Sequence, residues 1–208
     1  MFAWVTRSVI YLAVLAGAGV LASDASAAVA WNESVHGDIS GDRLAPTPLV
    51  LAPATNSVIG SVVAGDLDYV TVKVLPGEEL INLFLQSYAG DDFTAFIAIQ
   101  QGTTFTAAPP FPSVSSLLGY AHFGPGAGFF AGVGSDLLYP LATAAGAIGF
   151  SAPLPSGDYS FWIQQTGGST SYQLDFVTTP EPTAAALVAC GLWTVLLGSA
   201  RARRSMLQ

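Results

Sequence analysis

The stretch Asp68-Tyr-Val-Thr-Val-Lys-Val74 decides the fold class. Val70, Val72 and Val74 fall on one side of an extended chain, with Tyr69, Thr71 and Lys73 on the other. That alternation of period two suits a strand with one face in a core and does not suit a helix. Pro76-Gly77 then supplies a turn. Leu80 to Tyr88 reads as a second strand, and Leu83, Phe84 and Leu85 make it apolar on both faces, which predicts a central place in a sheet. Phe93, Ala95, Ile97 and Ile99 mark a third strand, and Ser57–Val63 marks another upstream. Downstream, Tyr159, Phe161 and Ile163 alternate with Ser160, Trp162 and Gln164. Gly167-Gly168-Ser169 then leads to Tyr172, Leu174 and Phe176, set against Gln173 and Asp175, and this last pair predicts a hairpin. At least six strands predict an all-β, antiparallel, jelly-roll-like β-sandwich.

The pattern breaks between Gly102 and Pro153, where nine glycines and six prolines gather around stretches such as Phe123-Gly-Pro-Gly-Ala-Gly-Phe-Phe130. A Gly/Pro-rich insert of this length (102–153) exceeds an ordinary hairpin loop. Short helices are expected in it near Val114–Leu118 and Asp136–Thr143.

Composition narrows the function classes. The chain has 208 residues, 51% of them apolar and 10% charged, which suits one folded domain rather than a disordered chain. Between Ala28 and Thr179 there are twelve acids and two bases, Arg43 and Lys73, a net of −10. Such a surface repels polyanions, so nucleic acid is excluded as a partner. The single Cys190 rules out an internal disulfide framework and any multi-thiolate metal site, and its place in an apolar run marks a buried, unreactive side chain.

Both ends read as addresses. Arg7, an apolar run from Val9 to Leu21, and small residues through Ala25-Ser-Ala27 and Ala28-Val-Ala30 make residues 1–30 a secretory signal peptide with two candidate cleavage sites. At the other end Pro180-Glu181-Pro182 precedes an apolar stretch from Thr183 to Ala200, followed at once by Arg201, Arg203 and Arg204. Eighteen helical residues rise about 27 Å, close to the thickness of a hydrocarbon core. Arginines directly after such a helix hold that end in the cytoplasm. The exported domain is expected over 31–179, between a signal helix and a transmembrane helix at 183–200.

The triplet, helix and basic tail, in that order over 180–204, resemble the PEP-CTERM sorting signal of Gram-negative bacteria. The resemblance implies export across the inner membrane and a transient anchor. It also implies cleavage by exosortase, a membrane-embedded cysteine protease, after signal peptidase has acted, and a final place at the cell surface or in the extracellular matrix. The Asn32-Glu-Ser34 start and the Ile163-Gln-Gln-Thr-Gly167 segment are similar to those of a subgroup of such proteins. Gly65-Asp-Leu-Asp-Tyr69 and Leu154-Pro-Ser-Gly-Asp-Tyr159 resemble strand starts of the bacterial pre-peptidase C-terminal domain, a small β-sandwich, over about 57–100 and 152–177.

Candidate chemistry is sparse. Asp66 and Asp68 at the mouth of one strand, with Asp91 and Asp92 in the loop after the next, offer hard oxygen ligands for calcium. The competing reading is that they are solvated turn residues. Asp38-Ile-Ser-Gly-Asp42 alternates oxygen ligands but lacks the glycine and the bidentate acid of a helix-loop-helix calcium loop. His36 and His122 are the only histidines, and no Gly-x-Ser-x-Gly elbow occurs, so no catalytic residue is assigned. Trp162 and Tyr120 are the candidates for stacking on a sugar, although for Trp162 packing in the core between the sheets is the preferred reading. The expected function is therefore that of an exported, non-enzymatic surface or matrix protein, with extracellular polysaccharide as a candidate partner. The alternative is a carbohydrate- or calcium-binding, lectin-like module. No cofactor is expected apart from that calcium.

Overall fold

In the computed structural model of the chain the described residues are 27–109, 113–126, 131–165 and 167–180. They form two sheets. The first has the order β1 (Ala28–Asn32), β3 (Ala54–Val62), β9 (Thr170–Pro180), β5 (Glu78–Gly90). The second has the order β2 (Thr47–Val50), β4 (Leu67–Val74), β8 (Gly157–Gln164), β6 (Ala95–Gln101), β7 (Gly119–Phe123). Two short helices, α1 (Glu33–His36) and α2 (Leu138–Ala142), and a 3₁₀ turn at Val114–Ser116 complete the regular structure. The architecture is thus all-β, a sandwich of two sheets. Among the described residues no helix is long and apolar enough to cross a membrane. The expected signal and transmembrane helices lie outside the described residues.

The alternation read in β4 is what closes the sandwich. Val70, Val72 and Val74 enter a core shared with Phe161 and Ile163 of β8 and Ile97 and Ile99 of β6. Val58, Leu83, Leu85, Leu174 and Phe176 of the first sheet fill its other half, and Phe161 meets Phe176 edge to face at 5.3 Å. Burial of this aliphatic and aromatic surface from both sides is the main force holding the sheets together.

Four expectations need correction. First, the sandwich is not purely antiparallel: β1 pairs with β3, and β2 with β4, in parallel. From β1 to β4 the chain changes sheet at every connection and reverses direction each time, so strands two apart in sequence run the same way. Second, β8 and β9 are not a hairpin. β8 lies between β4 and β6, and β9 between β3 and β5, so the segment between them is an arch from sheet to sheet. Third, β5 is not central but ends the order of its sheet. Its free edge is covered by the insert and the residue after it: Gly134 N–H and Leu137 N–H donate to Leu85 and Leu83, Leu85 N–H donates to Ser135, and Leu80 and Leu154 exchange a pair of bonds at 2.8 and 3.0 Å. Covering an edge in this way protects it from pairing with another chain. Fourth, β6 begins at Ala95, and Phe93 stands 77% exposed in the arch before it.

The insert is a working part of the sandwich. It contributes β7 to the second sheet, and α2 packs Leu138 and Leu141 into the main core. The helical turns expected near 114 and 138 are present. Gly119 lets β7 lie against α2, because a Cβ there would collide with the Leu141 carbonyl. β1 begins at Ala28, three residues ahead of the expected domain start.

Candidate functional site

One group of carboxylates, Glu33, Asp38, Asp66 and Asp68, lies at one pole of the sandwich, whereas Glu78, Glu79 and Asp158 lie toward the other. Asn32 caps α1: its Oδ1 accepts from Ser34 N–H at 3.0 Å and from Ser34 Oγ at 2.7 Å. Capping of this kind starts a helix and places the next residue in its first turn. That residue is Glu33. Its Oε2 accepts from Ser61 N–H at 2.7 Å and Ser61 Oγ at 3.0 Å on β3, and its Oε1 from Ile39 N–H at 3.3 Å. Gly60 makes room for this approach, since a Cβ there would meet the Tyr172 hydroxyl at 2.6 Å and Glu33 Oε1 at 3.2 Å.

Below Glu33, Asp68 is the second residue of β4 and is fully buried. The Tyr172 hydroxyl donates to its Oδ2 at 2.5 Å, while its Oδ1 has no hydrogen-bond partner. Burial raises the Asp68 carboxyl to about 8, the Tyr172 bond opposes this, and the negative charges of Glu33, Asp66 and Asp38 add to it. Tyr172 is raised well above the usual phenol range, first by its own burial and then by Asp68. Glu33 is raised by burial, against its bonds to Ser61 and Ile39. Asp66 is raised by burial and by Asp38. Asp38 stands exposed at the mouth. One oxygen each from Glu33, Asp38 and Asp68 lie within 4.8 Å of one another.

The four aspartates expected to act together are split. Asp66 and Asp68 belong to this pole cluster, whereas Asp91 and Asp92 serve the arch between β5 and β6. Asp91 N–H donates to Ser169, Asp92 Oδ1 accepts from Phe93 N–H at 2.6 Å, and the Tyr88 hydroxyl donates to the Asp92 carbonyl. These are turn and strut roles. Glu33 and Asp38 take their place beside Asp68. The Asn-x-Ser cap around Glu33 was the available signal, but only the pairing of β1 with β3 brings Glu33 over β4.

The proposed sugar-stacking residues do not form a displayed platform. Trp162 is fully buried on the outer face of the second sheet, stacked on Tyr69 at 6.0 Å and edge-on to Phe96 and Phe105 at 5.1 and 5.7 Å. The segment after Gly102 covers it. Tyr120 is half-buried against Phe96, and its hydroxyl donates to the Ala145 carbonyl at 2.9 Å. A hollow beside this cover is lined by Gln100, Gln101, Ser116, Leu118 and Ile148, none of them titratable. His36 lies against Trp31, its Nδ1 at the Asn32 backbone, and His122 faces Phe96. Of the sorting residues only Pro180 is among those described, as the last residue of β9 opposite Glu78. No protein-family model and no curated protein matches the chain.

Proposed function

We propose that the chain is an exported, non-enzymatic cell-surface or extracellular-matrix protein. Signal peptidase releases its N-terminus, and an exosortase-type protease processes it at Pro180-Glu181-Pro182. Residues 183–200 serve as a temporary membrane tether, with Arg201, Arg203 and Arg204 on the cytoplasmic side.

One structural observation supports this reading most. Both ends of the domain leave from the same pole: Ala28 pairs with Asn56, which pairs with Phe176, and β9 runs on to Pro180. Asp68 and Tyr172 lie toward the other pole. Eight residues of strand separate Tyr172 from Pro180, about 26 Å. A domain held by its C-terminal end would therefore turn the Glu33–Asp38–Asp68 pole away from the membrane. With the 134–137 segment beside β5 as an eighth strand, the sheets read β3-β9-β5-(134–137) and β4-β8-β6-β7. We read this order as that of a jelly roll. The lectin-like alternative loses its stacking residue, because Trp162 is buried.

The mass of the protein released from the surface of its native host tests the proposal. Cleavage after Ala27 leaves β1 whole, whereas cleavage after Ala30 removes three of its five residues. The expected product starts at Ala28 and ends within 180–182. A released protein that still carries residues 183–208 would overturn it, as would a chain lacking 180–208 that reaches and stays at the same place.

A further inference from the structure

We infer that the pole formed by α1, the loop after it and the start of β4 is a divalent-cation site of the calcium type, with Glu33, Asp38 and Asp68 as its carboxylate ligands. The inference stands on the folded domain and is independent of export.

The geometry is that of a shared ion. Calcium holds its oxygens at about 2.3–2.6 Å, so two ligands on one ion lie at most about 5 Å apart. The three carboxylates each bring an oxygen within 4.8 Å of the other two.

A second observation points to the same ion. Asp68 is fully buried, and its Oδ1 has no partner. A buried carboxylate oxygen without a donor is destabilising, and native proteins rarely leave one so. The Tyr172 hydroxyl serves Oδ2 only. A cation among the three carboxylates would give the buried Asp68 carboxylate a counter-charge that no donor supplies, and would convert their mutual repulsion into attraction. The charges acting on Asp68 are those of Glu33, Asp66 and Asp38, all negative. Glu33 keeps lone pairs for an ion beyond those taken by Ser61 and Ile39.

The donor set selects the metal. It holds oxygens alone, with no imidazole or thiolate, which favours calcium or magnesium over zinc or copper. The three carboxylates come from separate points of the chain, one buried, one half-buried and one exposed. That pliable arrangement suits calcium better than the strict octahedron of magnesium. Bound there, the ion would staple α1 and the following loop to β4.

The test uses the full chain purified in mild detergent, stripped with EDTA, and titrated with calcium or magnesium by calorimetry and by thermal melting. The expected result is one calcium per chain and a raised melting temperature, with a smaller rise from magnesium. Asp38→Asn lies at the exposed mouth and leaves the core intact, so it should fold and weaken calcium binding at least tenfold. Asp68→Asn should abolish the melting shift, and Asp91→Asn should leave binding unchanged. The inference fails if calcium up to about 10 mM, well above the range of extracellular modules, gives neither heat nor a melting shift. It fails equally if Asp38→Asn binds as tightly as the parent chain, or if magnesium matches calcium.

Discussion

The two faces of the five-stranded sheet bury their side chains against different partners, and the difference is instructive. The inner face packs on another sheet. Val70, Val72, Phe161 and Ile163 meet Val58, Leu174 and Phe176, and Tyr159, the polar-tipped residue on this side of β8, donates its hydroxyl to Pro155 at 3.0 Å. The outer face packs on a covering segment. Tyr69, Ala98 and Trp162 lie under Phe105, Ala107 and Leu117. There the Tyr69 hydroxyl and the Trp162 indole N–H are buried without partners.

What holds the cover is its polar rim. Thr71 and Ser160 donate to Thr103 and Gly102, Gln100 Oε1 accepts from Thr106 and Ala107, and Arg43 donates to the carbonyls of Phe105 and Thr106. Two regular, alternating surfaces can match everywhere. A loop on a sheet matches at selected points and leaves mismatches between them.

The largest effect should separate the faces directly. Phe176→Ala opens a cavity between two sheets that cannot collapse, and should cost about 3–5 kcal/mol in urea unfolding. Phe105→Ala removes a ring of the same size from the cover, which can settle onto Trp162. It should cost about 3 kcal/mol or less. An equal loss at both positions would mean that the cover is as rigid as a sheet.

A smaller effect, of opposite sign, tests the orphaned polar groups. Burial holds the Tyr69 phenol up at about 12, with Arg43 opposing, so the group is neutral at any ordinary pH. Tyr69→Phe removes a hydroxyl that was dehydrated for no bond. It should be neutral or stabilise by up to about 1 kcal/mol in the same measurement. A clear destabilisation would show that the hydroxyl has a partner, such as a buried water.

How far the sequence foretold this follows the same division. Val70, Val72 and Val74 announce the inner face because both sheets obey period two. Nothing in that period says which sheet a strand joins, so β8 and β9 read as a hairpin although they are an arch. Leu83, Phe84 and Leu85 read as central because apolar side chains on both faces do not tell a central strand from an edge strand; β5 is at the edge, with 134–137, residues without a strand pattern of their own, bonded along it. The outer core was illegible for a similar reason: Trp162 and Tyr69 sit on the face that alternation assigns to solvent, and their cover is Gly/Pro-rich. At the Glu33–Asp38–Asp68 pole, Asp68 was legible from its strand-opening position. Asp38 was read only within a local loop that lacks the calcium pattern, and Glu33 was not read as a ligand at all, because what brings them to Asp68 is the parallel pairing of β1 with β3, a contact across more than twenty residues of chain.

The smallest effect lies at the rim of the outer core. His122 sits on β7 between Ala121 and Phe123, which enter the inner core, so its ring projects to the outer side, 5.6 Å from Phe96 and edge-on. Burial lowers its pKa below the ordinary value of 6.5. The unfolded chain then takes up the proton more readily than the folded one. Stability contributed by the neutral ring is complete above pH 6.5 and is lost as pH falls through the lower, folded value. The residue is partly exposed, so the slope is shallow. Carboxyls raised by burial, Asp68 foremost, push the other way on acidification and would mask it in the parent chain alone. His122→Asn shares those carboxyls, so subtracting its urea midpoint from that of the parent at pH 7.5 and again at pH 5 isolates the ring. The parent's advantage should shrink on acidification. An advantage that grows would place a carboxylate on the ring, and the rim of the outer core would then be held by charge as well as by packing.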